Sequence, residues 1–365
     1  MDIRTIQTLK EVSDQYILPG SLKAFTQCVN GHVNDTYRVL LRIDNHTEKE
    51  YIFQRINDYV FKEPIKVMRN IKEISVHTRP KITKDTCDII TFFNNKAGNN
   101  YTIVDGDYWR VCYFVKNSIA FDFVEDSKIL YSAGYAFGRF QELLSDLPMN
   151  RLFVTIPDFH NTKKRLDAFF EMVSLDPLGR AKDVKEEIKF FEEQRELAST
   201  LVDLLDKGEL PLRVTHNDTK YNNILMDQDS LEPLCVIDLD TVMPGLATYD
   251  FGDAIRFAAN TAVEDEPDLS KVGLNIEHYE EFTRGFMTAC QGSLTQKEVD
   301  TMALGAVIIT IELASRFLLD HLNGDKYFRL HRPNHNLDRA RCQIKLAKDM
   351  LEQYDTMCEI VNKYA

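Results

Sequence analysis

The chain has 365 residues, 44% of them hydrophobic and 28% charged, with a net charge of −13. That length holds two lobes or domains with a sizeable core, the composition is ordinary for a globular protein, and the acidic balance excludes a nucleic-acid surface built on a basic stripe. The seven cysteines are odd in number and form no Cys-x-x-Cys pair, which argues against a thiol zinc site and a secreted disulfide framework. The first residues, MDIRTIQTLKEV, lack the basic-then-apolar layout of a signal peptide. The most apolar run, 302–314, is too short for a membrane span and contains Glu312, so it reads as a buried helix. Without a signal segment, the Asn-x-Thr triplets at Asn34, Asn45 and Asn217 are chance occurrences, and a cytoplasmic protein is expected.

Residues 2–18 carry apolar side chains at helical spacing (Ile3, Ile6, Leu9, Val12, Tyr16) and end near Pro19-Gly20. Strand-like runs follow at 22–29, 36–43 and 51–56, the first two joined by a turn that contains Gly31. Residues 61–77 predict an amphipathic helix with Val67, Ile71 and Ile74 in register, and 89–93 and 109–115 predict two further strands. Trp109 heads the second of these and is expected in the core. Residues 127–144 have helical spacing through Leu130, Ala133, Phe137, Phe140 and Leu144, and Gly134 and Gly138 there allow a neighbour to approach closely. Two amphipathic helices, 161–173 and 183–205, are separated by Asp176-Pro177-Leu178-Gly179, and their acidic runs read as solvated faces.

The most informative stretch is 214–240, VTHNDTKYNNILMDQDSLEPLCVIDLD. A loop carrying His216, Asp218, Lys220 and Asn223 leads into a hairpin that ends on Asp238, because the short apolar runs 224–226 and 234–237 flank a segment rich in turn formers. Pairing Met226 with Leu234 puts Asn223 opposite Ile237 and next to Asp238. Hard oxygen ligands at that spacing suit Mg²⁺, and an Asp on the preceding loop is placed to orient a hydroxyl nucleophile in phosphoryl transfer. Further on, Asp250-Phe251-Gly252 invites reading as a metal-binding triplet, but Asp250 lies well beyond the hairpin, whereas Asp238 closes it next to Asn223. Asp240 either binds a metal-bound water or caps the next turn. Helices are expected at 276–290, 296–317 and 334–354. Arg316 sits at the polar edge of a buried helix, where it either meets a ligand or pairs with Glu312 or Asp320.

The pattern His-x-Asp-x-x-x-x-Asn followed by Ile-Asp-x-Asp resembles the aminoglycoside phosphotransferase and choline kinase superfamily, small-molecule relatives of the protein kinases. The longer string HNDTKYNN with VIDLDTVMPG is similar to that of the N-acetylhexosamine 1-kinases, as are GHVNDTYRV, QRIN and RFLLD with GDKYF, so the likeness spans nearly the whole chain. It implies an α+β, bilobal, protein-kinase-like fold. A small strand-rich lobe, 1–116, and a large mainly helical lobe, 117–365, with a helical insertion at about 161–206, would close on ATP and Mg²⁺. Asp218 is then the proton acceptor, Lys220 stabilises charge on the transferred group, Asn223 and Asp238 hold Mg²⁺, and Asp250 or Asp253 braces the segment, as a downstream Asp does in the superfamily. The loop of Gly31 and Asn34 would cover the phosphates, and the backbone of Tyr113 and Val115 would hold adenine at a hinge before Lys116-Asn117-Ser118. Gln54 stands where protein kinases carry a phosphate-pairing lysine. Glutamine has no charge, so Arg55, Lys220 or the metal must neutralise more of the phosphate; the alternative is a weakened kinase or a non-catalytic nucleotide-binding protein. His32, Asp35, Arg316 and Tyr327 are implied contacts to the sugar, whose anomeric hydroxyl would be phosphorylated. Choline, an aminoglycoside, homoserine or another hexose would use the same nucleotide chemistry.

Overall fold

The structure is a computed structural model that describes residues 3–28, 33–82, 89–290 and 292–365. Gly31 and His32, implied in phosphate and sugar binding, lie outside the described residues. The chain opens with α1 (Ile3–Asp14), β1 (Ser21–Cys28), β2 (Asp35–Arg42), β3 (Glu48–Arg55), α2 (Pro64–Thr78), β4 (Thr102–Val104) and β5 (Asp107–Tyr113). The strands form one antiparallel sheet in the order β1-β2-β3-β5-β4. Side chains alternate along a strand, so Val39, Leu41, Tyr51, Phe53, Trp109 and Val111 share one face and pack with Leu9, Val12 and Tyr16 of the N-terminal segment. Trp109 is therefore a core residue, 4% exposed.

Residues 89–93 do not form the expected strand. Ile89 makes an isolated bridge to Val236, the Ile90 amide donates to the Val236 carbonyl at 3.0 Å, and the Phe93 amide donates to Val111. The segment laces the sheet to the catalytic hairpin, and its apolar run reflects burial between two regions. The strand beside β5 is the three-residue β4, too short to show a period. Helix α2 also departs from a simple two-core picture, since Val67, Met68, Ile71 and Ile74 belong to the hydrophobic cluster of the large lobe.

The large lobe contains β6 (Ser118–Ile119), α3 (Ser127–Leu144), α4 (Thr162–Leu175), α5 (Lys185–Asp206), β7 (Arg213–Thr215), β8 (Ile224–Asp227), β9 (Pro233–Val236), β10 (Met243–Gly245), α6 (Ala247–Ala258), α7 (Ile276–Cys290), α8 (Gln296–Asp300), α9 (Met302–Leu322), α10 (His335–Glu352) and α11 (Tyr354–Tyr364). Gly134 and Gly138 let α3 lie directly against α7: a Cβ at either would strike the carbonyl of Phe282 or Phe286. The expected helix at 296–317 is two helices. Thr295 caps α8 in a reciprocal capping box with Glu298, and the chain leaves helical geometry at Thr301 before α9 begins. Helix α9 is long and apolar enough to cross a membrane, but 89% of its apolar window is buried inside the lobe, so it is a core helix. The arrangement is α+β, with a small sheet lobe and a larger helical lobe.

Candidate active site

The hairpin of β8 and β9 forms where the sequence places it. Ile224 pairs with Val236 and Leu225 with Cys235, and the Ile237 amide donates to the Asn223 carbonyl at 2.9 Å. One register step differs, because a bulge pairs Met226 with Pro233 rather than Leu234. At that end Asp227 accepts from the amides of Asp229 and Ser230, and Leu231 is left-handed (φ 61°), so the tight turn takes up a residue. Asp238 is itself left-handed at φ 58° and turns the chain sharply at the cleft floor.

Asp250, at the start of α6, holds the loop before the hairpin. Its carboxylate accepts from the amides of His216 and Asn217, at 2.7 Å each, and from Gln141 Nε2 at 2.8 Å. Asp253, one turn later, accepts from the Thr219 amide at 3.0 Å. Burial pushes the Asp250 carboxyl up to about 6 against those favourable contacts. His216 Nε2 donates to the Ile237 carbonyl at 2.9 Å, tying the loop to the hairpin rather than meeting a reactant.

Asp218, Lys220, Asn223 and Asp238 come together at one end of a cleft of about 400 Å³ between the lobes. Lys220 Nζ lies 3.0 Å from Asp218 Oδ1. Burial would raise the Asp218 carboxyl, but the Lys220 and His216 charges and the Asn223 hydrogen bond hold it below the ordinary range. Asp218 in turn raises the Lys220 ammonium. Asn223 donates through its amide nitrogen to the Asp218 carbonyl at 2.8 Å and to Asp218 Oδ2 at 3.2 Å. Its amide oxygen has no protein donor among the described residues. Asp238 is open to the cleft, yet the enclosing walls and the Asp240 and Asp218 charges push its carboxyl up to about 6. Among the described residues no three His, Cys, Asp or Glu side chains close round a metal position. One carboxylate beside one amide oxygen fits Mg²⁺, which keeps several water and phosphate ligands, better than a cation that needs a full protein cage.

The other cleft wall carries Asn34, Thr36, Ile52, Gln54, Tyr113 and Val115. Gln54 reaches the cleft, as the sequence implies, but Arg55 does not: successive strand residues point to opposite faces. Arg55 is bound to Asp35, with Nε–Oδ2 2.8 Å, and to Asp107 at 3.2 Å, so neither the expected phosphate cation nor the expected sugar contact Asp35 lines the cleft. The cation beside Gln54 is Arg110, from β5. It is 1% exposed, donates through Nε to Gln54 Oε1 at 3.0 Å and forms a two-pronged ion pair with Asp240. Asn34 Nδ2 also donates to Asp240, at 2.6 Å. Asp240 is thus a bridge from large lobe to small, not a turn cap. Arg110 escaped sequence reasoning because it reads as one polar residue in the alternation of a strand. The signal available was its position opposite Gln54 across the β3–β5 ladder.

Arg316 and Tyr327 each lie beside Phe328 but do not line this cleft. The Arg316 guanidinium lies 5.8 Å from the Phe328 ring and 5.6 Å from that of Phe159, whereas Tyr327 packs edge-on to Phe328 and is 72% exposed. Neither expected ion pair of Arg316 forms: Glu312 is held by His160 and Thr162, and Asp320 by the amides of Lys326, Tyr327 and Phe328.

Solved structures share this fold. An aminoglycoside phosphotransferase from Alicyclobacillus acidocaldarius superposes with a TM-score of 0.61 at 11% identity, over 97% of this chain and 96% of that one. A microcompartment-associated aminopropanol kinase gives 0.58 at 14% identity, over 96% and 98%. A spectinomycin phosphotransferase solved with ADP and spectinomycin gives 0.53 at 14% identity, over 93% and 98%. At these identities the likeness is one of fold. A family model, that of the phosphotransferase enzyme family, matches residues 95–283, which contain the loop of Asp218 and Lys220, the hairpin and Asp250. The match covers more than half of the chain, which belongs to the phosphotransferase enzyme family.

Proposed function

We propose that the protein is an ATP- and Mg²⁺-dependent kinase that phosphorylates the anomeric hydroxyl of N-acetylglucosamine or N-acetylgalactosamine. The observation that carries the kinase half is the convergence of Asp218, Lys220, Asn223 and Asp238 at one end of the interlobe cleft. Adenine lies against the hinge near Tyr113 and Val115, and Gln54 faces the phosphates with its amide oriented by Arg110. Asp218, kept ionised by Lys220, accepts the proton of the attacking hydroxyl. Lys220 offsets charge on the transferring group, and Asn223 and Asp238 are the side chains that hold Mg²⁺, which supplies electrostatic stabilisation of the phosphates. Arg110 beside Gln54 is already paired with Asp240, so Lys220 and the metal carry the phosphate neutralisation, and the presence of Asp218, Asn223 and Asp238 together favours an active kinase over a non-catalytic nucleotide binder.

The sugar half rests on the sequence likeness and on charge. A cationic acceptor calls for uncompensated carboxylates near the nucleophile's seat. Around Lys220, Asp253 and Glu264 are compensated by Arg256, and Asp238 is taken up by the proposed Mg²⁺. A neutral acceptor with several hydroxyls suits such surroundings, with Arg316 and Tyr327 as its contacts. Turnover of ATP over a panel of acceptors tests the assignment. Phosphorus coupling to the anomeric proton by NMR is the expected product signature. Phosphate on the 6-hydroxyl, or turnover with choline and neither sugar, would overturn the acceptor and leave the kinase standing.

A further inference from the structure

Behind the catalytic loop lies a buried polar link that the phosphoryl-transfer reading does not use. His160 precedes α4, and its ring is almost enclosed, with 8% of the side chain exposed. Nδ1 lies 2.9 Å from Glu312 Oε1 on α9, and Nε2 lies 3.3 Å from the Asn217 carbonyl. Both partners are acceptors, so the ring meets each of them as a hydrogen-bond donor. Glu312 is fully buried, and its second oxygen accepts from Thr162 Oγ1 at 2.7 Å. Phe159 and Tyr249 flank the ring at 4.4 and 5.6 Å between centroids.

The carbonyl being held belongs to the peptide that delivers Asp218. Asn217 is left-handed, at φ 63°. Its amide is fixed by Asp250, and its side chain donates to the carbonyls of Thr215 and Thr241. Those ties all run to the β7, β10 and α6 side. The tie to the carbonyl comes from the opposite side, from the helical insertion and α9. With both ends held, the peptide plane between Asn217 and Asp218 has one orientation, and so has the bond from which the Asp218 carboxylate projects. Arg316 follows Glu312 by one turn of α9 and lies over Phe159, the neighbour of His160. The same helix thus carries the support of the catalytic loop and a proposed acceptor contact.

We propose that His160 is a positioning residue: anchored by Glu312, it holds the Asn217 carbonyl and thereby sets the aim of Asp218. The inference rests on the kinase reading of Asp218. Two amide replacements separate its halves, since the glutamine amide nitrogen falls near Nε2 of the imidazole and the asparagine nitrogen near Nδ1. His160→Gln keeps the bond to Asn217 and abandons Glu312; His160→Asn does the reverse. Assayed on the acceptor that the panel identifies, His160→Asn and His160→Ala should lose about 10- to 100-fold in kcat. KM for ATP should stay within about twofold of the wild type, and His160→Gln should keep most of the kcat. Thermal melts should rank the other way, with His160→Asn above His160→Gln, because the latter leaves the Glu312 charge buried without its partner. If His160→Gln does not fold, the double variant with Glu312→Gln removes that charge and should keep most of the kcat. Full activity in His160→Asn, or a kcat ranking that follows the melting temperatures, would overturn the positioning role. A wild type that transfers phosphate to no acceptor would overturn the kinase reading and this inference together, whereas an active wild type with indifferent variants overturns this inference alone.

Discussion

On the small-lobe side of the cleft, cations and anions close on one another: Arg110 with Asp240 in the interior, and Arg55 with Asp35 and Asp107 at the rim. On the side of loop 216–223 the groups face the cleft, even where Lys220 pairs with Asp218. Asp238 accepts no protein hydrogen bond among the described residues, and Asp218 and Lys220 both line the cavity. The closed pairs fix how sheet and hairpin meet; the open groups are left for reactants. Within the closed set, depth decides the energetics. Arg110 and Asp240 are each 1% exposed, so removing one partner strands a charge in the interior, whereas the rim pairs are about 40% exposed and water can replace either partner.

The largest expected effect breaks the open side. Asp218→Asn keeps the shape but cannot accept the hydroxyl proton, and kcat should fall on the order of 10²–10⁴-fold while ATP affinity stays close to that of the wild type. Steady-state kinetics with a nucleotide-binding titration checks this, and a variant with most of its kcat would remove Asp218 from the role. The next effect is on the closed side. Arg110→Met should cost about 3–5 kcal/mol in urea unfolding by leaving Asp240 uncompensated, and combining it with Asp240→Leu should recover most of that loss. A double variant as unstable as the single would show that Arg110 stabilises by packing and not by its charge.

The Asp250 brace sharpens the comparison through pH. Burial lifts its carboxyl from 3.8 up to about 6 in the folded protein, so folding favours the protonated form. That contribution is fully present below about pH 4 and is lost as the pH rises through about 6. The stability of the wild type relative to Asp250→Asn should therefore increase by about 2–3 kcal/mol on acidification from pH 7.5 to 4, at 1.36 kcal/mol per pKa unit. A difference that is flat or moves the other way contradicts the assignment. The smallest effect is at the rim: Arg55→Ala should change unfolding free energy by less than about 1 kcal/mol and leave kcat/KM within about twofold. A large loss of nucleotide affinity in this variant would return Arg55 to the phosphate site.

Much of the candidate site's layout was legible because it is local. His216, Asp218, Lys220, Asn223 and Asp238 lie within one loop and hairpin, where a two-residue side-chain period leaves few registers and where Asn223 must end beside Asp238. Helices α3 and α7 were equally plain, since both bury a continuous apolar stripe and glycines mark the face along which they touch. Even the rejection of Asp250 as a metal ligand follows from chain distance, and the structure places that carboxylate under the loop amides instead.

What only the tertiary structure decided is which charged residue meets which partner. Arg55 and Arg110 both sit on strands beside Gln54, and strand alternation alone does not say which face the cleft will take. Arg110 finds Asp240 across 130 residues of chain, and His160 finds Glu312 across 152. A buried charge is tolerated only where packing delivers its counter-charge, and that delivery depends on how the sheet, the insertion helices and α9 dock as bodies. The local sequence around His160 or Arg110 carries no trace of it. The sequence by itself determined which polar groups share the loop and hairpin and in what order, because a hairpin enforces its own spacing. The tertiary packing determined how those groups are supported and aimed, because that is settled by contacts between segments far apart in the chain.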